Sequence, residues 1–502
     1  MELHIYNTLT RQKELFVPMI DASVKIYSCG PTVYSDPHIG NLRYFVFCGL
    51  LGDICRHVLR YNTTHVMNIT DVWHLTDDAD AGEDKMEKWS RREGVSVWDV
   101  ARKYENNFKQ YLRQLHVQFD AHPRATEYIK EQIDIVQTLT EKWYTYIIPE
   151  DGIYMDTSRI SDYGKLLWPN YKQALAWLEA WSRVDADDKK NPTDFALWKF
   201  SPRDEQRQME WIYEWDRMGV LITDDMRDSL IEKEQSSRGF PGWHIECSAM
   251  SRALLGDAFD IHTWWVDHIA VHHSDEIAQS EHSFCTHGKW VNYWMHAQFL
   301  NINGAKVSKS AGDDLSLPWL EEKWFSPLDV RYFFFTGQYR SFLDFTYESL
   351  QAAKTTRQNM IKKIHAYVWE RIVHFYDIQK EDISDILYKQ MIMPLLDDLD
   401  TPKFLAHIQK ALWALNDEVL KVLLYLDKTV LHIWLYEWVD ALMNAENTVQ
   451  DIPSDIAALA QQRRDAKKAR DFALADQLRS ELLAQWWSIE DTKDGYEVVK
   501  VL

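Results

Sequence analysis

The chain has 502 residues, 46% of them apolar, and a formal net charge of −21. That length predicts two to four domains with full-sized cores. No run of about 18 apolar residues occurs, and Met1 to Thr10 lacks a basic n-region and an apolar h-region, so neither a membrane span nor a signal peptide is expected. The acidic balance argues mildly against nucleic-acid binding, although a negative average can hide a basic face. Five cysteines (Cys29, Cys48, Cys55, Cys247, Cys285) are too sparse for a disulfide framework and suit a reducing cytoplasm.

In chain order, Val24 to Tyr27 reads as a short strand running into the turn Cys29-Gly30-Pro31-Thr32. From Gly40 the apolar positions Leu42, Phe45, Val46, Gly49, Leu50 and Ile54 keep helical spacing, and His65 to Ile69 reads as a second strand. Strand, glycine-containing turn, helix and strand make the βαβ unit of a doubly wound α/β fold with a Rossmann-type parallel sheet. Residues 1–119 are expected to form the first half of this domain, 120–240 a connective insertion and 241–345 the second half. Residues 346–450 are long, periodic and nearly free of Gly and Pro, which predicts a helical bundle. After Pro453, Ile456 to Leu483 reads as helix and Gly495 to Leu502 as a strand-like tail, so 451–502 forms a small terminal domain. The helix carries the basic cluster Arg463, Arg464, Lys467, Lys468 and Arg470, which reads equally well as a phosphate contact or a solvated face.

Three constellations carry chemistry. Pro37-His38-Ile39-Gly40-Asn41 sits between a strand and a helix. A helix N-terminus offers unpaired N–H groups to phosphate, Gly40 admits close approach, and His38 can donate a hydrogen bond. Lys306-Val307-Ser308-Lys309-Ser310, followed by Ala311-Gly312, combines cations, hydroxyls and a flexible glycine into an anion clamp. Alone, each could be an ordinary turn or polar loop. Cys29, Cys247, His272 and Glu276 form a candidate metal set. Two thiolates, an imidazole and a carboxylate suit four-coordinate zinc, and His272 and Glu276 share a helix face. His273 and Cys285 compete as ligands on residue type alone.

The two phosphate motifs, in this order, resemble the H-I-G-H and K-M-S-K-S signatures of class I aminoacyl-tRNA synthetases, with Asn41 and Val307 as departures. Cys-Gly-Pro-Thr-Val-Tyr (29–34), Asn-Ile-Thr-Asp (68–71), Pro-Gly-Trp-His-Ile-Glu-Cys-Ser-Ala-Met (241–250), His-His-Ser-Asp-Glu-Ile-Ala-Gln-Ser-Glu (272–281) and Asn-Tyr-Trp-Met-His (292–296) resemble the cysteinyl-tRNA synthetase family. Asp471 to Asp476 and Glu490 to Gly495 extend the resemblance towards the C-terminus. One departure is Trp211 to Arg238, longer and more charged than the family pattern.

The resemblance implies a ligase that activates L-cysteine with ATP and loads tRNA(Cys). It implies one Zn2+ per chain, held by Cys29, Cys247, His272 and Glu276 and binding the substrate thiolate, and Mg2+ accompanying ATP without a dedicated protein site. It implies His38, Gly40, Asn41, Lys306, Ser308 and Lys309 at ATP, with His38 and Lys309 catalytic. Thr70, Trp243 and Asp267 would lie at the cysteine, Asp267 facing its ammonium. A monomer is expected, with the helical bundle and terminal domain meeting tRNA. A ligase joining cysteine to an amino sugar shares the catalytic half but lacks the C-terminal region. A non-catalytic zinc- or tRNA-binding paralogue would lack some signature residues, all of which are present.

Gly numbers 17, where about 7% would give roughly 35. Trp, normally among the rarest residues, numbers 23. Trp264-Trp265 falls where the family has Gly-Gly before the Asp, and Trp73 stands in Thr-Asp-Val-Trp-His-Leu where the family has Gly. Trp89, Trp143, Trp168, Trp177, Trp181, Trp324 and Trp486 follow the same pattern. UGA is read as Trp in one variant genetic code and as Gly in another. UGA is therefore expected at these positions, with glycine in the cellular protein, whereas Trp243 and Trp294 match family tryptophans.

Overall fold

A computed structural model of the chain describes residues 1–72, 85–167, 189–201, 207–213, 238–285, 288–302, 305–306, 315–369, 378–433, 453–469, 471–484, 487–491 and 496–500. Trp73, Trp168, Trp177, Trp181, Trp486, Ser308, Lys309 and Arg470 lie outside them. Contacts divide the chain into two units, Met1–Tyr436 and Glu437–Leu502.

At the heart of the first unit is a four-stranded parallel sheet in the order Val291–Ala297, Phe259–Trp265, Ser23–Ser28, Asn62–Met67. Val24, Ile26, Tyr27, Val66, Phe259 and Ile261 are fully or almost fully buried, as strands covered on both faces require. The crossover from Ser23–Ser28 to Asn62–Met67 is the helix Ile39–Asp53, buried along nearly its whole length, with Asn41 its partly exposed position. The βαβ reading therefore holds. Ser23–Ser28 lies between a strand of its own half and one from beyond residue 258, so the strand order reverses beside it. Ligand crevices of doubly wound sheets open at such a switch point, outside the carboxyl ends of the strands.

Between the halves lies a five-stranded antiparallel sheet in the order Thr145–Ile148, Gly152–Met155, Phe195–Phe200, Arg238–Pro241, Trp211–Ile212. The helix Ile129–Glu141 packs on Trp243–Leu255 and His272–Ser283. Beyond the sheets come helices Tyr347–Trp369, Asp385–Ile392, Thr401–Trp413 and Asp417–Leu426, the helical stretch that periodicity predicts. None of the described helices is long and apolar enough to cross a membrane.

The second unit differs from expectation in one respect. Ile456 to Leu483 is two helices, Ser454–Lys468 and Phe472–Ala484, because Asp471 interrupts the run and accepts the Leu474 N–H at 3.1 Å. Ile456, Ala460 and Leu482 pack with Trp487 and Ile489 of a terminal hairpin, Trp487–Asp491 with Tyr496–Lys500. In the basic cluster Arg463 is buried while Lys467 and Lys468 are exposed, so its cations do not share one solvated face.

Candidate metal centre and active site

Cys29 follows the last residue of strand Ser23–Ser28, where its N–H donates to Thr263 O at 3.2 Å. Gly30 is required next: a Cβ there would stand 1.6 Å from Asn68 O. Helix Trp243–Leu255 supplies Cys247, and helix His272–Ser283 supplies His272 and Glu276. The donor atoms of Cys29, Cys247, His272 and Glu276 all lie within 4.8 Å of one another, and all four residues are buried. Cys29 Sγ stands 3.6 Å from Cys247 Sγ and 3.7 Å from Glu276 Oε1, with both cysteines free. A tetrahedral ion with metal–sulfur bonds of about 2.3 Å and metal–oxygen bonds of about 2.1 Å needs donor separations of about 3.6–3.8 Å. The sulfur separations fit zinc, whereas His272 Nε2 and Glu276 Oε1, an ion pair at 2.7 Å, would part to about 3.4 Å on taking up the ion. In ligating form this donor set brings three negative charges into a nearly fully buried site, a cost that a divalent cation offsets.

Electrostatics agree with a charge-dense cluster. Burial pushes His272 down, but Glu276 and Cys247 outweigh it and raise the imidazole to about 10. Burial likewise opposes ionisation of Glu276, but His262 and His272 hold it well below the usual carboxylate range. Burial, then Cys247 and Glu276, push the Cys29 thiol well up. Burial also raises Cys247, yet the Cys29 hydrogen bond and His272 bring it to about 7.

His273, a competitor on sequence, lies 3.7 Å from Cys29 Sγ and joins a second group with Cys29, His262 and Glu276. Its Nδ1 is engaged by His296 Nε2 at 2.8 Å, and His296 Nδ1 by Thr8 Oγ1 at 2.8 Å. Cys285 belongs to neither group. His272 has the support expected of a ligand. Its Nδ1 meets His244 Nδ1 at 3.1 Å, His244 Nε2 reaches Asp275 Oδ2 at 3.4 Å, and Asp275 accepts from Tyr163 OH at 2.5 Å. With His272 Nε2 on a metal, this chain fixes each tautomer in turn.

Trp243 lies over the His272 ring at 4.3 Å. Thr70 lies beside the cluster, donating to Glu246 Oε2 at 2.7 Å, and Asn68 Oδ1 is 3.9 Å from Cys247 Sγ. Asp267 is exposed and pairs with His268 at 2.8 Å, and His268 packs on Trp243 and Trp264. Trp264 and Trp265 end strand Phe259–Trp265 and pack on Tyr44 at 4.8 and 5.3 Å. The buried Trp264 Nε1 finds no hydrogen-bond partner.

On the phosphate side, His38 caps helix Ile39–Asp53. Its Nδ1 accepts the Asn41 N–H at 3.3 Å, and Asn41 Oδ1 accepts the His38 N–H at 3.2 Å. Asn41 therefore acts as a helix cap. Gly40 makes room for the His38 ring, which a Cβ would meet at 2.8 Å. Burial lowers the His38 pKa, so the ring is neutral near pH 7. With Nδ1 accepting, its proton sits on Nε2, which meets no hydrogen-bond partner among the described residues. Lys306 closes a short strand, Ala305–Lys306, paired with Leu300–Ile302.

The sequence alone assigns no role to His262, His244, Asp275, His296 or Asn68; for the three histidines the one signal is a concentration of histidines between residues 244 and 296.

Comparison with known proteins decides the family. The family model described as "tRNA synthetases class I (C) catalytic domain" matches residues 15–222 and 231–355, broken inside the divergent 211–238 stretch. Cysteine–tRNA ligase 1 of Burkholderia lata is 42% identical, covering 99% of this chain and 96% of its own length. The chain belongs to the cysteine–tRNA ligase family. It is thus an enzyme of the aminoacyl-tRNA synthetase group. The cysteine–tRNA ligase of Treponema denticola is 36% identical over 98% of each chain. The methionyl-tRNA synthetase of Mycobacterium tuberculosis, solved with methionyl-adenylate, shares the fold at 11% identity, with a TM-score of 0.54 over 84% of this chain and 94% of its own. Relatives of this family span the C-terminal region too, which an amino-sugar ligase resembling only the catalytic half would not.

Proposed function

We propose that the chain joins L-cysteine to ATP, giving cysteinyl-adenylate and pyrophosphate, and then transfers the cysteinyl group to tRNA(Cys) with release of AMP. The observation that carries this reading is the Cys29–Cys247–His272–Glu276 cluster at the switch point of the sheet, next to the His38 helix. A zinc ion held by these four residues supplies a Lewis-acidic position for a thiolate, which favours cysteine over serine because a thiol ionises far more readily than an alcohol.

Trp243 walls the cysteine side chain, Asp267 takes its ammonium, and Thr70 holds the pocket edge through Glu246. The substrate carboxylate attacks the α-phosphorus, and the bond to pyrophosphate breaks. His38 Nε2–H, the main-chain N–H at Gly40, and the side chains of Lys306, Ser308 and Lys309 hold the phosphates in line and stabilise the developing charge. Mg2+ travels with ATP. Residues 346–450 and 451–502 meet the tRNA stem and anticodon. The enzyme works as a cytoplasmic monomer.

The test is cysteine-dependent ATP–pyrophosphate exchange, followed by charging of tRNA bearing the cysteine anticodon. Exchange that serine does not support is the expected result, and exchange driven by another amino acid would refute the reading.

A further inference from the structure

Arg43 lies in the second turn of the His38 helix and is 4% exposed. Its guanidinium donates to four main-chain carbonyls: Nη1 to Gln298 (3.0 Å) and Phe299 (2.9 Å), Nη2 to Gln338 (3.0 Å) and Ser341 (2.7 Å). Burial lowers its pKa to about 10, still charged at neutral pH. These carbonyls flank two strands that pair in parallel, Leu300–Ile302 and Leu343–Phe345. Leu300–Ile302 continues by the hairpin into Ala305–Lys306, where the K-V-S-K-S loop begins. The far end of that loop is fastened to the same helix, because the Ile39 N–H donates to Leu315 O at 2.8 Å and His38 bridges Ser316. Both ends of the lysine loop are thus tied to the first turns of the helix that carries His38.

We propose that Arg43 is a positioning residue for amino-acid activation, setting the spacing between His38 and the lysine loop and hence the alignment of the ATP phosphates. This rests on the ligase reading above. A planar fork can span two loops at once, whereas the compact ammonium of a lysine cannot. Once pyrophosphate has left, the loop has no β- and γ-phosphates to hold, so the second step does not need the alignment.

The test compares Arg43→Lys and Arg43→Met with their parent, per titrated active site, in two steps: ATP–pyrophosphate exchange, and single-turnover transfer from isolated enzyme-bound adenylate to tRNA. The parents are the chain as sequenced and the form with glycine at every Trp position where UGA is expected. Exchange should fall on the order of 10²-fold, as expected for displacement of about 1 Å, with the KM for cysteine and the transfer rate unchanged. Undiminished exchange in Arg43→Lys, or an equal fall in both steps, would overturn the positioning role. No cysteine-dependent exchange in either parent would instead overturn the ligase reading, and this proposal with it.

Trp143 and Trp324 occupy matching places elsewhere. Each follows the C-cap of a helix, Ile129–Glu141 or Leu317–Glu322, with left-handed φ of 66° and 69°. Trp143 N–H donates to Thr140 O and Tyr144 N–H to Leu139 O; Trp324 and Phe325 repeat the pattern onto Glu321 and Leu320. This is the Schellman helix end, whose left-handed residue is usually glycine. The two residues are 75% and 71% exposed, so they gain little burial in exchange for the strain. Helices Lys85–Glu93 and Trp243–Leu255 end at true glycines with positive φ, Gly94 and Gly256, whereas Val97–Gln114 ends at His116.

We infer that Trp143 and Trp324, with Trp264 and Trp265, are glycine in the cellular protein through UGA reassignment. The gene should carry UGA at these four positions and UGG at Trp243, and peptide mass spectrometry of protein from the source cells should show glycine at 143 and 324. Tryptophan in those peptides would refute it. As a second readout, Trp143→Gly and Trp324→Gly should each raise the Tm of the recombinant chain, and a lowered Tm would count against the inference.

Discussion

Cys29 and Cys247 are 218 positions apart in the chain, yet their sulfur atoms lie 3.6 Å from one another. One follows the first strand of the sheet and the other sits in the first turns of a helix beyond the insertion, so the pair closes the two halves of the domain around Glu276. Unbridged and buried, the two thiols face a carboxylate, an arrangement that a bound cation stabilises and that a metal-free core would avoid.

Replacement Cys247→Ser should therefore reduce bound zinc and weaken cysteine binding together. Elemental analysis and equilibrium dialysis with cysteine measure the two. Full zinc content with unchanged cysteine affinity would remove Cys247 from the ligand set.

His244 does not touch the metal position but orients His272 from behind. His244→Ala should weaken zinc affinity about 10- to 100-fold, in the range seen for residues that orient metal-bound imidazoles. Competition with a chelator reads this out, and wild-type zinc retention would show that His272 needs no such support.

Lys309→Ala should slow activation on the order of 10²- to 10³-fold, as loss of a group that stabilises developing charge does, with a smaller change in cysteine affinity. Pre-steady-state formation of adenylate is the direct measure. An unchanged rate would make the loop a bystander.

Asp71 gives a pH prediction. Burial raises its carboxyl to about 6, against the hydrogen bonds from Thr126 N–H (3.0 Å) and Oγ1 (2.6 Å) that favour the ionised form. The folded chain thus holds this proton more tightly than the unfolded chain, whose value is near 3.8. Its stabilising contribution is present below about pH 4 and is lost as pH rises through about 6. Asp71→Asn should gain stability relative to wild type across that window, by about 2–3 kcal/mol at pH 7. Denaturant titrations at pH 4.5 and pH 7 test this, and a difference independent of pH would contradict it.

The strand, turn and helix around Cys29 and His38 were legible because alternation, helical spacing and turn chemistry are local signals. His272 and Glu276 were legible as a pair because four residues make one helical turn. Their meeting with Cys29 and Cys247 was not legible from spacing, since it depends on how the insertion lets the second half re-enter the sheet; resemblance supplied it. The histidine layer behind the cluster was missed for a related reason: His262 and His296 come from neighbouring strands, His244 and His273 from different helices, and only the fold brings them together. Asn41 was read as a phosphate contact, yet its side chain caps its own helix, a choice that residue type does not decide. The break at Asp471 was readable, since an Asp before a helical run is an N-cap signal.

The most direct test is spectroscopic: replace the zinc by cobalt and titrate with cysteine, with serine as the control. Two protein thiolates should give a sulfur-to-cobalt charge-transfer band, and saturating cysteine should strengthen it as a third thiolate joins, while serine leaves it unchanged. A protein that takes up no cobalt, or whose band does not respond to cysteine, would contradict a substrate-binding metal centre at Cys29, Cys247, His272 and Glu276.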